Sequence, residues 1–508
     1  MRDLFKLIWT RHGRIIAVLI LIALMYGFAI NPYLLPNTYD NVVYYMGAKS
    51  LAESGAYVFN GYYVADWGPG FPLLLSIPMV LGMDSVVVAK LVVLASVLAS
   101  VIFIYRCFQR EKRKFPVVNC LIVGFLSTAF LMGTRLMSEW LFILVSMVFF
   151  ELLYVLNTKR KYSIAIVVGL LLGFSSLVRW IGVLLGVALV AQAVIQAKGT
   201  QVHRLRVILP ECVSAAIGAL IFISWKAKLA MQLDAGTAVA RYHHDGWEFL
   251  NYFNPLAVVN SIGDLFFKSD TLFRVLHVPG PVSLIFCTLV SVVILSGVYV
   301  RIRSRKIYPS DFYVLVSVIL LMFVEWKMAR YLLPLAPFLV SYFVEGLSAS
   351  GKKLETLLSR RMPWMFSSII VLWLIMSFTS NLYLLVLGNA NKSHAGLSPL
   401  RSPTAESFYG GVWRELYAAS NIIANDSMVN RVAYVGPYLK YGLAFTGKPV
   451  VDLGELQAGD AIVIEKLDAL PVDEFLNIDV IEKNRWNSIR LFYVLDSDVD
   501  GGHIDFRE

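Results

Sequence analysis

Apolar stretches of about 18 residues or more recur along the chain between Gly13 and Leu387. A helix of that length spans the hydrocarbon core of a bilayer, which is about 30 Å thick. Hydrophobic residues make up 58% of the 508 residues and charged residues 16%, against about 45–50% and about 25% in soluble domains. The sequence therefore predicts a polytopic membrane protein and excludes a soluble cytosolic enzyme, a secreted disulfide scaffold and a disordered chain.

The apolar stretches predict an all-α bundle of about eleven transmembrane helices. One Gly-rich stretch, Ile164–Ala197, is too long for a single span and is interrupted by Arg179, so we divide it into two. Another, Phe71–Gly82, is short and contains two prolines, so we expect it to lie in the interface. The other predicted spans are Gly13–Ile30, Val86–Phe108, Pro116–Gly133, Glu139–Leu156, Val207–Trp225, Pro281–Val300, Phe312–Val324, Tyr331–Leu347 and Pro363–Leu387.

The formal charge of +10 is distributed as a topology signal, and no nucleic-acid partner is expected. With a cytoplasmic N-terminus, every cluster of Lys and Arg falls in a cytoplasmic loop, whereas the opposite loops hold scattered basic residues. An odd number of crossings then places the tail after Leu387 outside the cytoplasm. Short loops and a tail without cysteine favour a bacterial inner membrane. The basic clusters lie at 110–114, 159–161, 204–206, 301–306 and 352–361.

Three segments are expected to lie outside the membrane. Two are long loops of the membrane domain 1–387, at 31–71 and 226–280, and the third is the tail, 388–508. Acidic residues interrupt the apolar composition of the tail, which we expect to form a small extracytoplasmic α/β domain. The tail has helical spacing at Gly411–Ala424 and β-branched runs at Arg431–Val435, Pro449–Leu453, Ala461–Glu465 and Ile489–Leu495.

Ionisable residues at membrane depth are costly and are functional-site candidates, and here they gather at one predicted face of the bundle. Glu139 begins the fourth span, Arg179 marks the break in the split stretch, and Arg330 precedes Tyr331. A cluster of carboxylate and guanidinium groups is suited to holding a phosphate and to transferring a proton beside it. The other charged candidates on this face are Asp40, Asp66, Arg135 and Lys327.

The charged candidates also have structural interpretations. Asp40 and Glu139 suit the N-terminus of a helix, where an acidic side chain is favourable, and Asp66 suits a turn. Arg179 and Arg330 suit interfacial anchors whose side chains reach lipid headgroups.

Two other features of the external loops are open to more than one interpretation. His243 and His244 form, with Asp245, a short metal-binding pattern, but adjacent histidines on a loop are commonly solvated, so a divalent metal is left open. Tyr44 is a candidate for stacking on a sugar, and an interfacial aromatic belt explains it equally well.

Four segments of the sequence resemble, in order, those of the C-type (GT-C) glycosyltransferases that use polyprenyl-phosphate sugars. This family includes the protein O-mannosyltransferases and the lipid A aminoarabinose transferase. The resemblance covers residues 13–347, and the tail is similar only in position and size. The chain departs from the family pattern at Asn41 and at Gly68-Pro69-Gly70. The segments are the first external loop (Tyr39–Asn41, Ala48–Gly55 and Trp67–Leu73), Met137–Phe142, Leu177–Arg179 and Ala329–Pro337.

The resemblance implies a GT-C-like fold and a hexosyl- or pentosyltransferase that moves a sugar from a polyprenyl-phosphate donor to an acceptor hydroxyl outside the cytoplasm. It implies that Asp40 is the general base of a single inverting displacement. Arg179 and Arg330 would stabilise the donor phosphate, and Glu139 would orient an arginine or help to hold a divalent cation. The acceptor would be a lipid, a glycan or a protein, with membrane lipids as the other partner.

Two other functions are compatible with a polytopic chain. A polyprenyl-linked sugar flippase or transporter usually places charged residues near the bilayer midplane and is built from repeated halves. The charged residues here gather at one face, and no repeat is visible. A non-catalytic scaffold that displays the tail leaves the ordered motifs unexplained.

Overall fold

The computed structural model divides into two compact units, one formed by Met1–Pro32 and Tyr63–Leu385, the other by Tyr33–Tyr62 and Val386–Glu508. The sequence predicts a domain boundary after residue 387, with the first external loop in the membrane domain. In the structure, the compact unit that contains the tail also contains Tyr33–Tyr62. The structure describes residues 2–30, 40–59, 62–64, 67–197, 204–234, 238–239, 252–266, 280–324, 329–358 and 368–382, and in the tail 422–423, 425–427, 429–430, 432–435, 460–465, 479–485 and 489–496.

The described part of the first unit is built mainly from apolar helices. Two 3₁₀ turns, Trp180–Leu184 and Leu333–Leu335, connect α8 to α9 and α14 to α15. Helix α2 belongs to the second unit. The helices are α1 (Arg2–Ala29), α2 (Asp40–Ser54), α3 (Gly70–Val80), α4 (Val86–Arg110), α5 (Pro116–Phe125), α6 (Ser127–Gly133), α7 (Glu139–Lys159), α8 (Tyr162–Val178), α9 (Leu185–Ala197), α10 (Arg204–Asp234), α11 (Pro255–Phe266), α12 (Gly280–Arg303), α13 (Pro309–Leu321), α14 (Ala329–Leu332), α15 (Ala336–Leu358) and α16 (Ser368–Leu382).

Every predicted span contains helix. Among the described residues, six helices are long and apolar enough to cross a membrane, and the bent pair α5–α6 makes a seventh. The remaining predicted spans are apolar helices of 10–17 residues, and the count of about eleven crossings stays a prediction. The expected break at Arg179 is confirmed, because α8 ends at Val178. Helix α11, inside the predicted external loop 226–280, was not anticipated.

Small residues let neighbouring helices pack at short range. A Cβ atom on Gly169 of α8 would lie 2.7 Å from the carbonyl oxygen of Ser214 in α10. A Cβ atom on Gly297 of α12 would lie 1.9 Å from the carbonyl oxygen of Tyr342 in α15. Lipid tails are as apolar as the helix surfaces, so close van der Waals packing of this kind is the main attraction between helices in a bilayer.

Helices α5 and α6 are separated by Leu126 and bent by 66°. The bend interrupts the helical hydrogen bonds of carbonyl groups that water does not reach, and an unsatisfied group there costs several kcal/mol. Side chains of two other helices provide the missing donors. The Tyr26 hydroxyl donates to the Gly124 carbonyl at 3.0 Å, and Asn381 Nδ2 donates to the Phe125 carbonyl at 3.0 Å. Helices α1 and α16 therefore hold the bend.

A buried ion network joins helix ends at one end of the first unit. Arg113, after α4, contacts Glu111 at 2.6 Å and Asp311 of α13 at 3.0 Å. Arg301 of α12 contacts Glu345 of α15 at 3.0 Å and Asp311 at 3.5 Å. Burial by itself would lower the pKa of Arg113. The nearby carboxylates of Glu111 and Asp311 together have the larger effect and raise this pKa above its usual value. The guanidinium therefore stays charged.

The tail contains a four-stranded sheet formed by β4 (Val432–Val435), β5 (Ala461–Glu465), β6 (Asp479–Arg485) and β7 (Ile489–Asp496), in the order β4-β5-β7-β6. Strands β4 and β5 are parallel and the other neighbours antiparallel. Three predicted strands are confirmed, and β6 was not predicted. The predicted strand Pro449–Leu453 lies outside the described residues, as does the predicted helix Gly411–Ala424 except for 422–423. Short strands precede the tail at β1 (Val58–Phe59), β2 (Tyr62–Val64) and β3 (Ala238–Val239).

We expect Arg113→Met to lower the free energy of unfolding by about 3–5 kcal/mol, because it leaves Glu111 and Asp311 without their central cation in a buried site. The melting temperature of the purified protein in detergent measures this loss. Lys306→Ala, at an exposed loop position after α12, is the matched control and should leave the melting temperature unchanged. Equal melting temperatures for the two variants would show that the network contributes nothing to stability.

Candidate functional site

The side chain of Glu139 is fully buried in the first turn of α7. An acidic side chain is favourable at the N-terminus of a helix, so this position agrees with the structural interpretation of Glu139. Its Oε1 atom lies 2.7 Å from Nη1 of Arg179, whose side chain is 14% exposed. No hydrogen-bond donor among the described residues is aligned with either carboxylate oxygen of Glu139. A buried carboxylate oxygen without an aligned donor can receive its hydrogen bond from a ligand, a water molecule or a side chain that moves.

Arg179 occupies the break between α8 and the 3₁₀ turn in an extended conformation, with φ −148° and ψ 133°. Its N–H donates to the Ser175 carbonyl at 2.9 Å, and its own carbonyl accepts from the Gly182 N–H at 2.8 Å. The break is therefore hydrogen-bonded on both sides. The side chain leaves the helix axis at this point, and Nη1 donates to the Ser138 hydroxyl at 3.3 Å.

The segment Trp67-Gly68-Pro69-Gly70 packs backbone against backbone on the last turn of α8. A Cβ atom on Gly68 would lie 2.0 Å from the Leu177 carbonyl oxygen, and one on Gly70 would lie 2.7 Å from the Val178 nitrogen. Any larger residue at either position would push away the turn that ends at Arg179. The glycines at which the sequence departs from the family pattern therefore place the short segment Trp67–Gly70 beside the turn that ends at Arg179.

Tyr331 of α14 links the second predicted arginine to the first. The guanidinium carbon of Arg330 lies 5.0 Å from the centre of the Tyr331 ring, and that of Arg179 lies 5.8 Å from it. Nη2 of Arg330 also donates to the Tyr331 hydroxyl at 3.2 Å. The structure thus brings Arg179 and Arg330 to one aromatic ring and pairs Arg179 with Glu139. Tyr331 lies within the motif Ala329–Pro337, but the sequence predicted no role for it.

Uncharged polar side chains continue from this cluster into the bundle. Ser146, two turns after Glu139 on α7, lies beside the hydroxyl of Tyr313 on α13, as does Ser317. All three are fully buried. Sequence reasoning missed these residues because isolated hydroxyls inside an apolar stretch barely change its hydropathy.

The other predicted site residues fall in different places. Arg135 is buried in the turn before Glu139. Asp40 is the first residue of α2 in the second unit and is half-buried, with Tyr44 buried one turn later. Within the ranges that the structure covers, no group of three His, Cys, Asp or Glu side chains is arranged to hold a metal ion. Asp66, Lys327, His243 and His244 lie outside the described residues.

The structure is similar to two solved membrane proteins, both of which are GT-C-fold glycosyltransferases. ArnT from Cupriavidus metallidurans, bound to undecaprenyl phosphate, gives a TM-score of 0.57 at 12% identity over 94% of this chain and 98% of that one. Its apo form gives 0.56 at 12% identity over 95% and 98%. The Archaeoglobus fulgidus oligosaccharyltransferase tethered with an acceptor peptide gives 0.50 at 12% identity over 87% and 64%.

No protein-family profile matches the chain, and no curated protein matches it. The family resemblance rests on short motifs separated by long stretches, whereas the similarity of backbone path extends over nearly the whole chain. At these identities the comparison shows the fold, and the GT-C-like membrane bundle predicted from the sequence is confirmed.

We expect Gly68→Ala to lower the melting temperature in detergent, because the new methyl group overlaps the Leu177 carbonyl; overpacking of this kind costs typically about 1–3 kcal/mol. Gly186→Ala is the matched control, since a Cβ atom there meets nothing within 4 Å. A variant at position 68 as stable as the control would mean that the close approach is not required.

The Glu139–Arg179 pair is expected to behave as one unit. Arg179→Met leaves a buried carboxylate without its cation and should destabilise the protein by about 3–5 kcal/mol. Adding Glu139→Gln should recover most of that loss, because the remaining buried group is then uncharged. Melting temperatures of the single and double variants test this coupling, and additive losses would contradict it.

Proposed function

We propose that the protein is an integral membrane glycosyltransferase that moves a sugar from a polyprenyl-phosphate donor to an acceptor hydroxyl on the extracytoplasmic side. The observation that carries the proposal is the cluster of two guanidinium groups, one phenol and one buried carboxylate at one end of a bundle with the GT-C fold. ArnT, which has this fold, was crystallised bound to undecaprenyl phosphate, and this supports a lipid phosphate as the ligand of the cluster.

The charge of the cluster suits a leaving phosphate. Arg179 and Arg330 carry two positive charges and Glu139 one negative charge, so the net charge is positive. The donor phosphodiester carries one negative charge, and a second develops on the leaving oxygen as the bond to the sugar breaks. A fixed cationic site therefore stabilises the transition state more than the bound donor, which is the condition for catalysis.

Tyr331 and Glu139 have supporting roles in the proposal. The Tyr331 hydroxyl accepts a hydrogen bond from Arg330, so its own proton is available to a phosphate oxygen. Glu139 orients Arg179, whose guanidinium has five N–H donors and can keep this ion pair while binding phosphate. A divalent cation held with the help of Glu139 would add charge at the same place.

Asp40 is proposed as the general base. The acceptor hydroxyl gives its proton to the Asp40 carboxylate while its oxygen forms a bond to the anomeric carbon. The bond from that carbon to the phosphate oxygen breaks, and its electron pair leaves with the polyprenyl phosphate. Because the acceptor attacks from the face opposite the phosphate, the configuration at the anomeric carbon inverts. Support comes from the half-buried position of Asp40 in the first turn of α2.

The test is a transfer assay with purified protein, a radiolabelled undecaprenyl-phosphate sugar and a membrane extract as the source of acceptor. We expect release of undecaprenyl phosphate and label on an acceptor, and a fall in turnover of about 10²–10⁴-fold for Asp40→Asn, as for loss of a general base. Glu53→Gln, at an exposed acidic position of the same helix, should retain turnover.

Two outcomes would overturn parts of this proposal. Turnover of Asp40→Asn close to that of the wild type would show that another group takes the proton. Movement of the intact sugar lipid across vesicle membranes, without cleavage of the sugar–phosphate bond, would identify a flippase instead.

A further inference from the structure

A second carboxylate on α7, that of Glu151, contacts two arginines of α4. Its Oε1 atom lies 2.8 Å from Nε of Arg106, and its Oε2 atom lies 2.8 Å from Nη1 of Arg110. Nη1 of Arg110 also donates to the Glu151 backbone carbonyl at 3.2 Å. The Glu151 side chain is buried, whereas that of Arg110 is half-buried and that of Arg106 is 53% exposed. One buried acid therefore orients two guanidinium groups that reach the surface of the bundle.

This arginine pair lies toward the other end of α7 from the candidate functional site. Helices α4 and α7 run in the same direction, since the Ser100 hydroxyl donates to the Trp140 carbonyl at 3.1 Å and Arg110 contacts Glu151 further along both helices. Glu151 comes twelve residues after Glu139, which is about 18 Å along a helix. The sequence predicts that this end faces the cytoplasm, because the clusters of basic residues lie in the loops there.

The surface around the pair is apolar and exposed. Ile102, one turn before Arg106 on α4, is exposed, as is Tyr154, which follows Glu151 on α7. The guanidinium carbon of Arg110 lies 4.9 Å from the centre of the Tyr154 ring. Both helices are long and apolar enough to cross a membrane, so their exposed apolar side chains face lipid, and an exposed tyrosine is typical of the headgroup level. The pair therefore lies where acyl chains meet headgroups.

The protein does not balance the charge at this place. Two guanidinium groups and one carboxylate leave a net charge of +1. A guanidinium has five N–H donors, and within the part of the chain that the structure describes, Arg106 directs only Nε and Arg110 only Nη1 at a protein acceptor. A cation beside acyl chains is costly, and an anionic headgroup that approaches the remaining donors lowers that cost.

We propose that Arg106 and Arg110 bind the phosphate of an anionic phospholipid from the leaflet at this end of the bundle. Guanidinium groups match the oxygens of a phosphodiester, and basic pockets between helices on the cytoplasmic side suit anionic headgroups. Because Glu151 is buried, it offers no exposed anion to the cationic group of a zwitterionic lipid. The site should therefore prefer phosphatidylglycerol to phosphatidylcholine.

Lipid binding to the purified full-length protein in a nonionic detergent tests the proposal, with native mass spectrometry to measure the affinity. We expect the wild type to bind phosphatidylglycerol about tenfold more tightly than phosphatidylcholine. Arg106→Gln should weaken phosphatidylglycerol binding about 10- to 100-fold, as for loss of a charge-assisted hydrogen bond, and should leave phosphatidylcholine binding unchanged. The variant should keep the melting temperature of the wild type, because Glu151 retains Arg110 and a half-exposed ion pair contributes little to stability.

Two further variants make the test specific. Lys159→Gln removes the same charge from an exposed position in the last turn of α7 and should change the affinity for phosphatidylglycerol by less than about twofold. A triple variant, Arg106→Gln with Arg110→Gln and Glu151→Gln, removes both cations without leaving a buried charge. Its affinity for phosphatidylglycerol should fall to that for phosphatidylcholine.

Three outcomes would overturn the proposal. Equal losses of affinity in Lys159→Gln and Arg106→Gln would show a general attraction to basic residues. Displacement of phosphatidylglycerol by millimolar inorganic phosphate would assign the site to free phosphate. Unchanged binding in the triple variant would show that the lipid binds elsewhere. Because binding is measured without a sugar donor, each result stands whether or not the protein transfers a sugar.

Discussion

Backbone polar groups inside a bilayer must be hydrogen-bonded within the protein, and the site described here depends on how this chain meets that requirement where its helices stop. At Leu126, side chains from α1 and α16 satisfy the carbonyls freed by the bend. At Arg179, Ser175 and Gly182 close the break on both sides. Because the backbone groups at this break are hydrogen-bonded, the helix can end there at little energetic cost. The Arg179 side chain can then enter the bundle, where its guanidinium reaches Glu139.

The two ends of the first unit use charge differently. Around Arg113, each acid of the network contacts an arginine, which is the pattern of a structural brace between helices. Around Glu139, one carboxylate oxygen lies within ion-pair distance of Arg179, and neither oxygen has an aligned hydrogen-bond donor among the described residues. Buried carboxylate oxygens without an aligned donor also occur at Glu151 and Glu211, which are paired with other arginines, so the assignment of the Glu139 end as the site rests on Arg179, Tyr331 and Arg330 beside it.

Glycines connect these local features to function in both units. Gly68 lets the segment Trp67–Gly70 lie against the end of α8, and Gly47 lets the Tyr57 ring contact α2. In each case the missing side chain creates space for a neighbouring segment. Motifs that look like turn chemistry in the sequence are therefore packing requirements of the proposed site.

The sequence by itself determined the features that depend on the summed properties of neighbouring residues: the apolar helices, the break at Arg179 and three strands of the tail. Helix α11 is apolar but only 12 residues long, too short for a membrane span, and the strand β6 carries charged residues that interrupt its apolar pattern. Tertiary structure alone decided which groups meet, including Tyr331 between two arginines and Tyr57 on Gly47. Hydropathy and spacing describe each segment separately, whereas these contacts depend on how distant segments pack, to within a fraction of an ångström.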